Sequence, residues 1–226
     1  MSRTAILIPS LGRPQYVARV VGNIEQNTPE DHEQLWCYSG EEYEAAACVS
    51  DVPRIRDDDD PDKRYVTRMN KLVVWAVERG DDYVFFGSDD VVHHPFWLTN
   101  AINVMETAPG AQVVVVNDLR NPNGTQALVR TSYLRLAVFD DPAAAFHKGY
   151  QHNFADIEMF RTAQKRGVIY RAMDSHVEHL HPLFQRPTSR KWDDTYGTAR
   201  ISYGEDQRRF ESRMKLMEEA LEGKDW

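Results

Sequence analysis

The sequence predicts an α/β protein: a mostly parallel central sheet flanked by helices, with a helical extension at the C-terminal end. Short apolar runs of strand length recur at residues 4–9, 34–39, 83–87, 112–116 and 168–172. Between several of them, apolar residues repeat at i, i+3, i+4 and i+7, the spacing of a one-sided helix. Strands that alternate with helices in this way form a sheet with mainly parallel neighbours. No internal repeat or low-complexity linker interrupts the 226 residues, a length suited to one domain with a sizeable core.

The elements follow in order. Thr-Ala-Ile-Leu-Ile-Pro at 4–9 forms a first strand, and Ser10-Leu11-Gly12-Arg13-Pro14 turns the chain. Val17, Val20, Val21 and Ile24 mark one helical face, and residues 34–39 give a second strand. Met69, Leu72, Val73 and Ala76 repeat the helical spacing, with Gly80 as the stop. Strand 83–87 comes next. Pro95 then opens a segment with Leu98, Ile102 and Met105, closed by Pro109-Gly110. The valines of 112–116 offer apolar surface on both faces, so this strand belongs inside the sheet. Asn121-Pro122-Asn123-Gly124 is a turn, and 127–130 its returning strand. Residues 153–166 read as a helix stopped by Gly167, and 168–172 as a strand. Phe210, Met214, Met217 and Leu221 mark a C-terminal amphipathic helix.

Charge and cysteine content narrow the function classes. Lys and Arg number 27 against 35 Asp and Glu, a net charge of −8. Affinity for nucleic-acid backbones is largely a Lys/Arg effect, so a general nucleic-acid coat is disfavoured. The acidic run Asp57-Asp58-Asp59-Asp60 reads as a solvated loop. No apolar run reaches the roughly 18 residues that span a bilayer. The N-terminus enters a strand at once, without a signal-peptide apolar region. Cys37 and Cys48 form no disulfide framework and read as an isolated buried pair, with a cytoplasmic location as the expectation.

The chemistry concentrates where Tyr83-Val84-Phe85-Phe86-Gly87 runs into Ser88-Asp89-Asp90. A bare carboxylate inside a sheet is costly. At the C-terminal edge of an α/β strand the same pair faces the crevice where ligands bind. Oxygen ligands there suit Mg²⁺ or Mn²⁺, and such an ion can hold a diphosphate; the competing reading is a Ser-Asp-Asp turn. Further along lie His176, His179 and His181, of which His179 and His181 share one side of an extended chain. Zinc is the competing ion, but no cysteine lies nearby. Asp156 sits at the start of a helix, as a carboxylate on the helix dipole or as a base beside the crevice. Trp36, Trp75 and Trp97 read as core, and His93 and His94 as loop residues.

With these elements placed, the chain resembles the nucleotide-sugar-dependent glycosyltransferases of the GT-A fold, in particular the large inverting group with short bacterial and phage members. Four motifs between about residues 4 and 182 carry the resemblance. They are Ile6-Leu7-Ile8-Pro9-Ser10-Leu11-Gly12-Arg13-Pro14, Arg68-Met69-Asn70-Lys71-Leu72, Ser88-Asp89-Asp90 and Ala155-Asp156-Ile157-Glu158-Met159. The third is similar to the family's DXD motif, the fourth to an acidic helix start.

The resemblance implies that Pro9, Ser10, Arg13, Arg68, Asn70, Ser88 and Asp89 contact a nucleoside-diphosphate sugar. It implies that Asp90 holds Mn²⁺ or Mg²⁺, with His181 the first candidate second ligand and His179 the next, and that Asp156 is the catalytic base. It divides the chain into a catalytic domain, 1–183, and a loop with C-terminal helix, 184–226, packed on the same domain. The loop is mobile in similar proteins; there Arg186 and Arg190 would meet the diphosphate, and Trp192 or Tyr196 would stack on a sugar. The implied activity is metal-dependent, inverting sugar transfer to an acceptor hydroxyl on a DNA base, a virion protein or a glycan. Two departures stand out: Ser88 replaces the first DXD acid, and Ala155 replaces the Glu before the base. They keep open a non-catalytic nucleotide-sugar-binding or scaffold role. A sugar-nucleotide nucleotidyltransferase is the other alternative, although it favours a Gly-rich phosphate loop where this chain offers Gly12 and Arg13 alone.

Overall fold

The computed structural model describes residues 2–38, 40–48, 50–58, 64–182 and 193–222. Its centre is an eight-stranded sheet in the order β3-β2-β1-β4-β7-β6-β8-β5. β1 (Thr4–Pro9) lies between β2 (His32–Tyr38) and β4 (Tyr83–Phe86) and runs parallel to both, with β3 (Arg54–Arg56) beyond β2. β7 (Ala127–Arg130) reverses direction between β4 and β6 (Val113–Asp118). β8 (Ile169–His179) is parallel to β6, and the short β5 (Val91–His93) closes the far edge antiparallel to it.

The period-two alternation of β1 explains the layers. Ala5 and Leu7 point into one core, under α3 (Tyr65–Arg79) and α6 (Ala155–Lys165). Ile6 and Ile8 point into the other, under α1 (Val17–Asn27) and α4 (Trp97–Thr107). Both faces are covered, so every β1 residue is buried. Trp36 and Trp97 lie in the second core, as the sequence suggests, and Trp75 packs at the margin of the first. Gly87, directly after β4, permits a close approach: a Cβ there would stand 3.2 Å from the Leu7 carbonyl oxygen.

Several features differ from the sequence expectation. The acidic stretch after β2 holds α2 (Gly40–Ala47) and β3, both too short to show a period. Asp57 is buried rather than part of a solvated run; Lys71 Nζ stands 2.5 Å and Arg68 Nε 3.5 Å from its carboxylate. Cys37 is buried and Cys48 exposed, each a free thiol, so they are not a buried pair. Finally, β8 continues past 172 through a register shift: Val116 pairs with Ala172, but Asn117 pairs with His176. The Met173-Asp174-Ser175 insertion, with Met173 exposed, breaks the sequence pattern while the strand goes on to His179.

The C-terminal helix is longer than its apolar stripe suggests. α7 (Asp194–Leu221) begins just beyond Asp193, and α5 (Leu134–Ala137) is a single turn. Arg213 fastens α7 to α6 through a two-pronged contact with buried Glu158 at 2.8 Å and through Asp140 at 2.7 Å. Tyr150 donates its hydroxyl to the same Glu158 at 2.7 Å. Among the described residues, no helix is long and apolar enough to cross a membrane.

His93 is buried on β5 rather than in a loop, 4.5 Å from Trp97 and 5.8 Å from Phe85 by ring centres. Neither ring nitrogen finds a hydrogen-bond partner among the described residues, and burial pushes its pKa down to about 3. Because this lies below the unfolded value of about 6.5, the stability tied to the neutral ring is present above pH 6.5 and lost as pH falls toward 3. For this group alone the loss between pH 7 and pH 5 is about 2 kcal/mol. In urea unfolding at the two pH values, His93→Leu should therefore lose about 2 kcal/mol less than wild type. Parallel pH dependences would show that this ring does not titrate on unfolding.

Candidate active site

The C-terminal ends of β1 and β4 open onto a cavity of about 690 Å³. Of the residues singled out in the sequence, Pro9, Ser10, Arg13, Arg68, Ser88, Asp89, Asp90, Asp156, His179 and His181 all line it. Asn70 does not: its amide donates to Phe146 O at 2.8 Å and accepts from the backbone N–H of Ala145 and Phe146. That side chain pins a neighbouring loop, whereas Arg68 lines the cavity. Arg186 and Arg190, with Trp192, lie outside the described residues.

Asp89 and Asp90 are both buried, and each is matched by specific partners. Ser10 Oγ donates to Asp89 at 2.7 Å, and Arg13 Nη1 donates to its other oxygen at 2.9 Å. Burial raises the Asp89 pKa against the pull of Arg13. Burial also works to raise Asp90, but the charge and hydrogen bond of His179, then Arg13 and Ser88, hold it well below the usual carboxylate range. His179 Nε2 stands 3.2 Å from Asp90 Oδ1, to which Ser88 Oγ also donates. Ser88 thus buttresses Asp90 where an acid would have added charge.

The Asp90–His179 pair fits a divalent cation. Adjacent ligands of an octahedral ion at about 2.1 Å stand about 3 Å apart, close to the separation here. Among the described residues no third His, Cys, Asp or Glu joins them in a metal-sized group. The remaining positions would fall to diphosphate oxygens and water, as is usual for Mg²⁺-like ions. His179 Nδ1 stands 3.3 Å from Thr125 Oγ1, and the His179 backbone N–H donates to Asp118 at 3.1 Å, which fixes the ring. Burial lowers the His179 pKa but Asp90 more than offsets it, leaving it raised. His181 packs edge-on against Tyr196 at 4.6 Å, with its pKa lowered by burial to about 4. His176 is not part of the cavity wall.

Across the cavity, Asp156 occupies the first turn of α6. Burial raises its pKa, opposed by the N–H of Ile157. The segment before it is held unusually firmly. Asp206, fully buried in α7, accepts the backbone N–H of Gln151 at 3.0 Å, His152 at 3.0 Å and Asn153 at 2.9 Å. Phe154 then takes a left-handed φ of 67°, strained for a residue with a side chain, and starts the helix. This arrangement presents His152 and Tyr65 to the cavity, 5.4 Å apart by ring centres. Burial lowers the His152 pKa to about 4, so the ring is neutral at physiological pH.

The sequence did not single out His152, Tyr65 or Asp206, which are isolated polar residues in otherwise helical or loop-like stretches. Asp193 carried a usable signal, an Asp placed directly before a helix; it accepts the N–H of Tyr196 at 3.2 Å as the α7 cap. Tyr196, expected to face a sugar, instead donates its hydroxyl to Asp90 Oδ2 at 2.9 Å.

No family model and no curated protein matches the sequence. The fold does have solved relatives. A mannosyltransferase from Pyrobaculum calidifontis in complex with GDP-Man and Mn²⁺ superposes with a TM-score of 0.58 at 14% identity, over 79% of this chain and 57% of that one. S. aureus TarS 1–349 gives 0.58 at 9% identity, over 78% and 59%. Glucosyl-3-phosphoglycerate synthase from Mycobacterium tuberculosis, in complex with Mn²⁺, UDP and phosphoglyceric acid, gives 0.59 at 13% identity, over 99% and 80%. The chain thus spans less than two thirds of the first two structures and most of the third. Its fold is the GT-A fold of the glycosyltransferases, built on a Rossmann-like sheet.

The Asp206 clamp yields a stability test. Asp206→Ala leaves three partly buried N–H groups without their acceptor and should cost about 3 kcal/mol. Asp206→Asn, which keeps one acceptor oxygen, should recover part of that loss in urea unfolding. An alanine variant as stable as wild type would show that the clamp contributes nothing.

Proposed function

We propose that this chain is a glycosyltransferase that takes a sugar from a nucleoside diphosphate and places it, with inversion, on an acceptor hydroxyl. The observation that carries the reading is the Asp90–His179 pair at the sheet edge, on one cavity with the half-buried carboxylate of Asp156. The third structural relative, bound to Mn²⁺, UDP and phosphoglyceric acid, supports the sugar-transfer part of the reading.

Each group has a role that follows from its surroundings. Arg68, held between Asp57 and the Ser10 carbonyl, keeps the β1 loop in place and turns its guanidinium edge to the cavity. Arg13 brings positive charge to the diphosphate side. A divalent cation on Asp90 and His179 would offset the charge that develops on the departing diphosphate. Asp156 accepts the proton of the attacking hydroxyl, which is a poor nucleophile until that proton leaves. A single base-assisted attack from the face opposite the leaving group inverts the anomeric centre. Because Asp156 must be ionised and burial raises its pKa, turnover should fall on acidification at a pH above the ordinary carboxylate value.

The reading makes two measurable claims. Calorimetric titration of UDP and GDP should show tight binding with Mn²⁺ and weak binding with chelator. Asp90→Ala and His179→Ala should abolish the difference, and His181→Ala should reduce it less; equal affinities with Mn²⁺ and with chelator in wild type would reject the cation site. Asp156→Asn should lower turnover about 10²- to 10⁴-fold with donor affinity nearly unchanged, and the wild-type product should show inverted configuration by NMR coupling. A fully active Asn variant or a retained product would leave Asp156 as a helix-start carboxylate.

A further inference from the structure

The first turn of α7 lies on the groups assigned to donor binding. Tyr196 is 3% exposed and its hydroxyl donates to Asp90 Oδ2 at 2.9 Å. Its ring lies 4.1 Å from the Arg13 guanidinium. Arg13 is itself 3% exposed, 2.9 Å from Asp89 and 3.6 Å from Asp90. Its other two nitrogens, Nε and Nη2, donate to Asp193 at 2.8 and 3.0 Å. Thr195 Oγ1 donates to Leu11 O at 2.7 Å, tying the same turn to the β1 loop.

This arrangement satisfies the acidic pair from within the chain. Both Asp90 oxygens are engaged, one by Ser88 and His179 and the other by Tyr196. The guanidinium supplies the positive charge that a cation would otherwise bring. A divalent ion arriving at Asp90 meets that charge at close range and competes with the Tyr196 hydroxyl for the carboxylate. A diphosphate arriving at Arg13 competes with Asp193.

We propose that the first turn of α7 is an in-chain competitor for the donor site: Tyr196 and the Arg13–Asp193 pair hold Asp89 and Asp90 until a cation-bound nucleoside diphosphate displaces them. In the exchange Arg13 trades Asp193 for the diphosphate, and Tyr196 gives up Asp90. Bare nucleotide, lacking the cation, can displace Asp193 but has nothing to replace Tyr196. Binding therefore requires both ligands together. This proposal rests on the donor-site reading above, and its test separates the two.

Two variants loosen the strap while keeping its fold. Tyr196→Phe removes the hydroxyl and keeps the ring against Arg13 and His181. Asp193→Asn removes the charge and keeps a side-chain oxygen able to cap α7. Titrating UDP, GDP, CDP and ADP with Mn²⁺ should show each variant binding the preferred nucleotide about threefold to tenfold more tightly than wild type, the net worth of one such bond. In wild type, hydrogen exchange at the Tyr196 and Gly197 amides should speed up when Mn²⁺ and that nucleotide are added. Unchanged or weaker binding by both variants, or slower exchange at these amides, overturns the strap and makes the turn part of the bound site. If no nucleotide binds wild type or either variant, the donor-site reading falls and the strap with it. Binding to the variants alone supports both.

Discussion

The structure depends on how two adjacent carboxylates at the end of β4 are kept out of bulk water. Burying one unpaired ion costs several kcal/mol, and Asp89 and Asp90 are both buried. The chain meets that cost with groups drawn from distant parts of the sequence. Ser10 and Arg13 come from the β1 loop, Ser88 from the same strand end, His179 from β8 and Tyr196 from α7. The sheet order makes this convergence feasible, because β1 is the parallel neighbour of β4 and the bulged β8 carries His179 back to it. A strained, charge-dense edge of this kind is sustained by the apolar layers on both faces of the sheet.

The long C-terminal helix is the second organising element. At its start Asp193 and Tyr196 touch Arg13 and Asp90 in the cavity; at its middle Asp206 clamps the segment before Asp156; further on Arg213 pairs with Glu158 and Asp140. One helix therefore spans the β1 loop, the start of α6 and the body of the domain. Movement of its first turn need not disturb the rest, since Asp206 and Arg213 hold the later turns. The firm anchoring of one end and the exchangeable polar contacts of the other are what a ligand-responsive strap requires.

The sequence made the sheet and the acidic strand end legible, because both rest on local pattern. Alternating or continuous apolar runs located β1, β4 and β6, and helical spacing located α1 and α3, while the Gly167 stop helped to mark α6. Asp90 and Asp156 were legible through their place at a strand end and a helix start. What escaped the sequence was set by contacts across long separations. Asp57 looked like one acid in a run, yet Arg68 and Lys71 draw it into the interior. Asp206 sits in a helix whose surface includes Ile201 at 87% exposure, so neither its burial nor the α7 start could be read from periodicity. Asn70 shows the converse: a motif residue whose side chain is spent on a neighbouring loop. His152 became a site residue only because Asp206 and the turned backbone at Phe154 aim it there.

The central claim is that Asp90 and His179 hold a divalent cation against a nucleoside diphosphate. Pulsed electron paramagnetic resonance of Mn²⁺ bound to the protein with UDP or GDP reads the ion's neighbours directly. The account predicts ¹⁴N coupling from one imidazole together with ³¹P coupling from the diphosphate, with the nitrogen signal lost in His179→Ala. A bound Mn²⁺ that shows phosphorus and water couplings but no imidazole nitrogen would contradict it.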